Sequence, residues 1–228
     1  MRRTICGGVA PFYSRASDHS LLVLFGDEIS PLMLDRVRRL FFGIRRERGV
    51  INLHPGYASL LISFDPRLIT HEAVEALARE ADSLEMSVPA ARTVEIPVCY
   101  GGDFGPDLGE VAEHCGLSID RVIELHSSAE YLVHFLGFSP GFAYLGGMPE
   151  AIATPRLTSP RVRVEAGSVG IAGKQTGVYP LASPGGWRII GRTPLRLFSL
   201  EQEPPALLAM GDRVRFRAIG SDEFDAHC

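Results

Sequence analysis

Lysine is almost absent from this chain. Lys174 is the single lysine in 228 residues, and the other 22 of the 23 basic residues are arginine. With 27 acidic residues the formal net charge is −4, which argues against a nucleic-acid binder, since that class needs a net basic face to displace counterions from phosphates. Long apolar runs are also missing. No stretch approaches the roughly 18 residues that cross a bilayer, and the two arginines near the N-terminus have no sustained apolar stretch behind them, so neither a membrane span nor a signal peptide is expected. Cysteine is scarce and scattered: Cys6, Cys99, Cys115 and Cys228 form no Cys-x-x-Cys pair. Reduced thiols in a cytoplasmic protein are the expectation, with no structural zinc. The seven histidines include no His-Glu-x-x-His, so no metal site is expected.

What is present suffices for a folded protein. Hydrophobic residues make up 46% and charged residues 22%, close to the average of soluble domains, so a real core can form. The length suits one large or two small domains. Up to about residue 90 the pattern is one of alternating strands and helices. Residues 21–25 form a short apolar strand. Ser30 before Pro31 gives an N-cap followed by a proline at the first helical position, after which Leu34, Val37, Leu40, Phe41 and Ile44 recur at helical spacing. The arginines of this helix (Arg36, Arg38, Arg39, Arg45, Arg46) read as a solvated face, with a docking surface as the minor reading. Residues 50–54 and 58–64 read as strands split by Pro55-Gly56, Thr70 caps a second helix with a Val74, Leu77, Ala78, Ala81 stripe, and residues 93–98 alternate as a strand. The resulting β-α-β-β-α-β order is that of a small ferredoxin-like α+β domain.

The second half has a different grammar. Two short helices are expected at residues 108–115, ending at Gly116, and from Ser118 to about 127; a further helical stretch is expected at 205–210. Eleven of the 24 glycines fall between residues 137 and 191, and they separate short runs at 131–136, 162–165, 187–190, 195–199 and 213–217. Many short strands with Gly and Pro turns between them predict a closed or nearly closed β-barrel. The boundary falls near residues 89–92, giving an α+β domain over 1–90 and a barrel domain over 91–228. Whether residues 93–98 close the first sheet or open the barrel stays undecided.

Residues 167–176, Gly-Ser-Val-Gly-Ile-Ala-Gly-Lys-Gln-Thr, tempt a phosphate-loop reading. The glycine spacing is one residue too long, Gln175 stands where a magnesium-binding hydroxyl belongs, and Gly-Val-Tyr-Pro follows where a helix is required. A glycine-rich loop that a ligand can approach closely remains. Its Lys174 reads either as a point charge for phosphate or carboxylate or as a solvated loop residue. Residues 136–147, Leu-Gly-Phe-Ser-Pro-Gly-Phe-Ala-Tyr-Leu-Gly-Gly, read either as an irregular hydrophobic corner or as a ligand-lining loop with the Tyr144 hydroxyl as its handle. His126 and His134 read more readily as satisfied structural groups than as catalysts, and Trp187, the only tryptophan, as core filler.

Taken in order, these segments resemble one family. They are Tyr-Gly-Gly-Asp-Phe-Gly-Pro-Asp-Leu (100–108), Leu-His-Ser-Ser (125–128), the 136–147 stretch, Thr-Pro-Arg (154–156), Ala-Gly-Ser-Val-Gly-Ile-Ala-Gly (166–173), Gln-Thr-Gly-Val-Tyr-Pro (175–180), Ser-Pro-Gly-Gly-Trp (183–187) and Ile-Gly-Arg-Thr-Pro-Leu (190–195). Together they resemble the family of the 5-oxoprolinase B subunits, also called the KipI or allophanate-hydrolase-subunit-1 family. The resemblance implies an α+β N-terminal domain and a cyclophilin-like β-barrel. It also implies a complex with the 5-oxoprolinase C subunit (allophanate-hydrolase-subunit-2 type) and the A subunit, hydrolysing 5-oxo-L-proline to L-glutamate with ATP as co-substrate and magnesium accompanying it. On this reading His126 serves proton transfer, Arg163 meets an anionic oxygen, and Gln175 and Tyr144 hydrogen-bond lactam or phosphate, with Gly167, Ser168, Lys174, Thr176 and Trp187 as further substrate or nucleotide contacts. The alternative is a protein-interaction regulator, a KipI-like inhibitor of a sensor histidine kinase. The loops 137–147, 167–177 and 183–187 are expected to converge on one groove lined by Tyr144, Arg163, Gln175 and Trp187.

Overall fold

A computed structural model describes residues 10–84 and 88–227; Cys6 and Cys228 lie outside them. The contacts divide the chain into two compact units, Met1–Ala90 and Ala91–Cys228.

The first unit is built from β1 (Phe12–Ser17), β2 (Ser20–Leu24), α1 (Pro31–Ile44), β3 (Val50–Pro55), β4 (Ser59–Phe64) and α2 (His71–Ser83). Its sheet is antiparallel throughout, in the order β1-β2-β4-β3. The caps form as the sequence expects: the Ser30 hydroxyl accepts from the Met33 amide and the Thr70 hydroxyl from the Ala73 amide, each satisfying an amide that the first helical turn leaves orphaned. Leu60, Ile62 and Phe64 alternate inward on β4 and are buried, as are Leu34, Val37, Leu40 and Ile44 of α1 and Val74, Ala78 and Ala81 of α2.

Two expectations need correction here. The element order is β-β-α-β-β-α, not the β-α-β-β-α-β of a ferredoxin-like unit. The strand at residues 12–17 escapes periodicity because it is an edge strand, mostly exposed on both faces, and the strand at 93–100 belongs to the other unit. Nor is the arginine face of α1 wholly solvated. Arg36 is 9% exposed, donates through Nε and Nη2 to Asp82 at 3.2 and 2.7 Å and lies over the Phe25 ring at 4.6 Å. It is a buried ion pair joining the two helices.

The second unit contains β5 (Thr93–Tyr100), α3 (Leu108–Cys115), α4 (Ile119–Ser128), β6 (Glu130–Leu136), β7 (Ala143–Gly146), β8 (Arg161–Val164), β9 (Ser168–Ala172), β10 (Gln175–Val178), β11 (Ser183–Gly185), β12 (Arg188–Arg192), β13 (Arg213–Ile219) and α5 (Ser221–Ala226). Seven strands close a barrel in the order β10-β7-β6-β13-β5-β12-β9, while β8 and β11 form a separate two-stranded sheet. Parallel pairing of β5 with β13 locks the two ends of the unit together. On β13, Val214 and Phe216 are buried while Arg213, Arg215 and Arg217 face outward; the outward arginines pair with Glu130, Glu95 and Glu223.

Gly116 ends α3 in the left-handed conformation and Ser118 caps α4, as expected. The helix expected at 205–210 and the strand expected at 195–199 do not form. Instead the two segments run past one another, joined by the Phe198–Ala206 bridge and by the Leu207 amide on the Leu197 carbonyl.

Candidate functional site

The stretch expected to be a ligand-approachable loop, residues 167–177, is instead mostly barrel wall. β9 is buried at all five positions, and β10 pairs with it in register around a two-residue turn at Gly173-Lys174. Small residues let this hairpin sit inside a crowded core; a Cβ on Gly177 would lie 3.1 Å from Phe142 and 3.2 Å from Trp187. Lys174 projects from the turn, 71% exposed, and pairs with Glu150.

His126 ends up in the centre of the unit, fully buried. From α4 it meets side chains of four barrel strands: Tyr100, Tyr131, Thr176 and Phe216, the last in a stacked pair with ring centroids 4.6 Å apart. Its hydrogen bonds define a single tautomer. The Thr176 hydroxyl donates to the Gly170 carbonyl at 3.0 Å, so its oxygen accepts the Nε2–H of His126 at 2.9 Å. Nδ1 is then the acceptor for the Tyr100 hydroxyl at 2.7 Å. Burial holds the imidazole pKa down at about 3 and pushes that of Tyr100 well above its ordinary value. Neutral and fully bonded, His126 has no free nitrogen with which to carry a proton to a substrate. His126 and Thr176 thus belong to one buried hydrogen-bonded chain that ends on the Gly170 carbonyl.

Among the described residues, cavities open at two places on the second unit. The smaller, of about 290 Å³, is lined by Phe138, Phe142, Tyr144, Tyr179 and Trp187 together with Arg156 and residues 184–186 at the end of β11. Its rings meet edge-to-face: Phe142 with Trp187 at 5.5 Å, with Tyr179 at 5.6 Å and with Phe138 at 5.5 Å. Tyr144 stacks on Phe135 at 4.5 Å. The Arg156 guanidinium stands over Trp187, 6.0 Å from its centroid. Burial raises the Tyr179 pKa, so its hydroxyl keeps its proton. The larger cavity, of about 710 Å³, is lined by Gly167, Arg192, Thr193, Arg196, Ser199 and Phe224 among others. There the Arg192 Nε donates to the Ala166 carbonyl at 3.0 Å, and Arg196 lies 3.6 Å from Glu201.

The expected convergence is therefore partial. Tyr144 and Trp187 share one cavity, and Gly167 lines the other. Arg163 is exposed and paired with Glu165 at 2.7 Å because β8 leaves the barrel wall for the two-stranded sheet. Gln175 lines neither cavity, and Ser168 is buried within β9. Arg156, Tyr179 and Arg192 were not among the expected site residues. Their only signal was membership of the Thr-Pro-Arg, Gln-Thr-Gly-Val-Tyr-Pro and Ile-Gly-Arg-Thr-Pro-Leu segments. Among the described residues no group of three or more His, Cys, Asp or Glu side chains converges as a metal site.

The closed barrel with this β-hairpin wall is shared with known proteins. Residues 11–208 match the family of the carboxyltransferase domain, subdomains C and D. The chain is 43% identical over 227 residues to the 5-oxoprolinase B subunit of Bacillus subtilis, covering 92% of this chain and 93% of that one. It is 53% identical over 169 residues to the 5-oxoprolinase B subunit of Escherichia coli O157:H7, covering 74% and 78%. The crystal structure of the protein TTHA0988 superposes with a TM-score of 0.80 at 37% identity; the match covers 89% of this chain and 40% of that longer one. This chain belongs to the family of 5-oxoprolinase B subunits, built on the carboxyltransferase C and D domains.

Proposed function

We propose that the chain is the B subunit of an ATP-dependent 5-oxoprolinase, working in the cytoplasm with a C subunit of the allophanate-hydrolase-subunit-2 type and an A subunit to hydrolyse 5-oxo-L-proline to L-glutamate. The observation that carries this reading is the 43% identity to a protein of that name across nine-tenths of both chains. In this reading the barrel is a cyclophilin-like domain and ATP is a co-substrate of the complex, with magnesium as its counter-cation. The lactam carbonyl is a poor electrophile. Phosphoryl transfer from ATP to the lactam oxygen makes the ring carbon a good electrophile; water adds to it, the ring C–N bond breaks as the nitrogen takes a proton, and the resulting acyl phosphate is hydrolysed to glutamate and inorganic phosphate. This chain contributes binding surface rather than a general base, since its most suggestive histidine is locked in the core. The test is co-expression with the A and C subunits, followed by glutamate release from 5-oxoproline with and without ATP. The complex should release glutamate only with ATP, and the isolated chain little or none. Full turnover by this chain alone, or none by the complete complex, refutes the reading.

A further inference from the structure

We infer that the aromatic cavity seats the small ring carboxylate itself: a five-membered lactam lies against Phe142, Tyr144 and Trp187 with its carboxylate on Arg156. The inference rests on the reading of the chain as part of a 5-oxoprolinase and adds to it a place for the substrate. Four observations lead there. A volume of about 290 Å³ falls at the lower edge of the range for ligand pockets, suited to a single small ring and not to a nucleotide. The walls are ring faces set edge-to-face, which offers a flat ring a stacking surface on more than one side. Arg156 is the one charged residue in the lining, and among the described residues no carboxylate lies within ion-pair distance of it; the arginines of the larger cavity are already engaged. A lone guanidinium at an aromatic mouth is complementary to one carboxylate.

Phe138 supplies the fourth observation. It is the only described residue other than glycine with a positive φ, +67°, and it stands 66% exposed at the rim, edge-on to Phe142. A non-glycine residue at positive φ is local strain of the kind that clusters at ligand clamps, and here it holds a large apolar ring in water. A ring entering the cavity covers it.

Because Trp187 is the only tryptophan and forms a cavity wall, its fluorescence reports occupancy without labels. Titrating 5-oxo-L-proline into the full chain should change Trp187 emission saturably. 2-Pyrrolidinone, the same ring without the carboxylate, should need at least tenfold higher concentration, and Arg156→Ala should weaken 5-oxoproline binding ten- to a hundredfold. The deciding readout is in the reconstituted complex, where Arg156→Ala should raise the KM for 5-oxoproline by a similar factor and leave the KM for ATP unchanged, with Arg156→Lys recovering part of the loss. An active complex whose 5-oxoproline KM is unmoved by Arg156→Ala overturns the cavity assignment and leaves the 5-oxoprolinase reading intact. A complex that never turns over 5-oxoproline, containing a chain whose Trp187 still responds to it, overturns the 5-oxoprolinase reading instead.

Discussion

Acid should destabilise the barrel through His126, and the size of the effect follows from its surroundings. In the unfolded chain an imidazole titrates near 6.5; in the barrel, burial holds this one at about 3. Between these values the unfolded state binds a proton that the native state refuses, so unfolding free energy falls as pH falls. The slope is about 1.4 kcal/mol per pH unit, which brings a loss of about 2 kcal/mol by pH 5 and about 3 kcal/mol by pH 4. That is a large share of the 5–15 kcal/mol typical of a folded protein. His134, also depressed by burial, acts in the same direction, so the contribution of His126 must be isolated by substitution. His126→Gln removes the titrating group while an amide retains some hydrogen-bonding capacity. Urea unfolding followed by circular dichroism at pH 7.5, 6.5, 5.5 and 4.5 should show wild type losing stability faster than the variant below pH 6.5. The variant itself should start lower by about 2–4 kcal/mol, having lost the Phe216 stack and the fit of the ring. Parallel pH profiles for the two proteins would refute the neutral, buried imidazole.

Four other substitutions probe the same unit. Asp107→Ala should cost about 3 kcal/mol in thermal or urea unfolding, because the buried carboxylate receives both the Arg161 guanidinium at 2.6 Å and the Ile189 amide at 2.6 Å and would leave both without a partner. Gly167→Ala should cost about 1–3 kcal/mol, since φ is +83° and a Cβ would collide with the Thr193 carbonyl; Gly173→Ala, at φ +59° in open space, should cost only about 1 kcal/mol, and equal losses would contradict the contact argument. Lys174→Ala should leave the unfolding midpoint unchanged, as its pair with Glu150 is exposed on both sides, and an unchanged KM for ATP in the complex would keep it out of the site.

What the sequence disclosed was local in origin. Ser30-Pro31, Thr70, Gly116 and Ser118 mark helix ends because a cap is a contact among residues three or four apart, and all four appear where expected. The alternation of β13 was legible for the same reason. What stayed hidden depends on partners distant in the chain. β5 could not be given to either unit until its parallel pairing with β13, some 120 residues on, was known. The edge strand β1 has no buried stripe to announce it. A structural reading of His126 was legible, but not the partners that satisfy it, because Tyr100, Thr176 and Phe216 come from three separate strands.

The glycine-rich segments show how a sound rule led to a wrong location. Glycine permits close backbone approach, and the expected agent of that approach was a ligand at a loop. In the structure the agent is more often an aromatic side chain of the protein itself: Phe142 and Trp187 against Gly177, and the Tyr179 hydroxyl against Gly185. Rings pressed onto bare backbone let short strands pack closely, so these glycines mark packing within β10 of the barrel and β11 of the two-stranded sheet rather than mobile loops. The same packing explains why a cavity survives here. Phe142, Tyr179 and Trp187 are each fixed by ring and backbone contacts on their buried sides, so they cannot turn to fill the space in front of them. Tyr144 and Trp187 were expected to line one groove, and both line this cavity. The polar member, Arg156, was not expected, because nothing within the Thr-Pro-Arg segment reveals that the chain returns it to the face of Trp187.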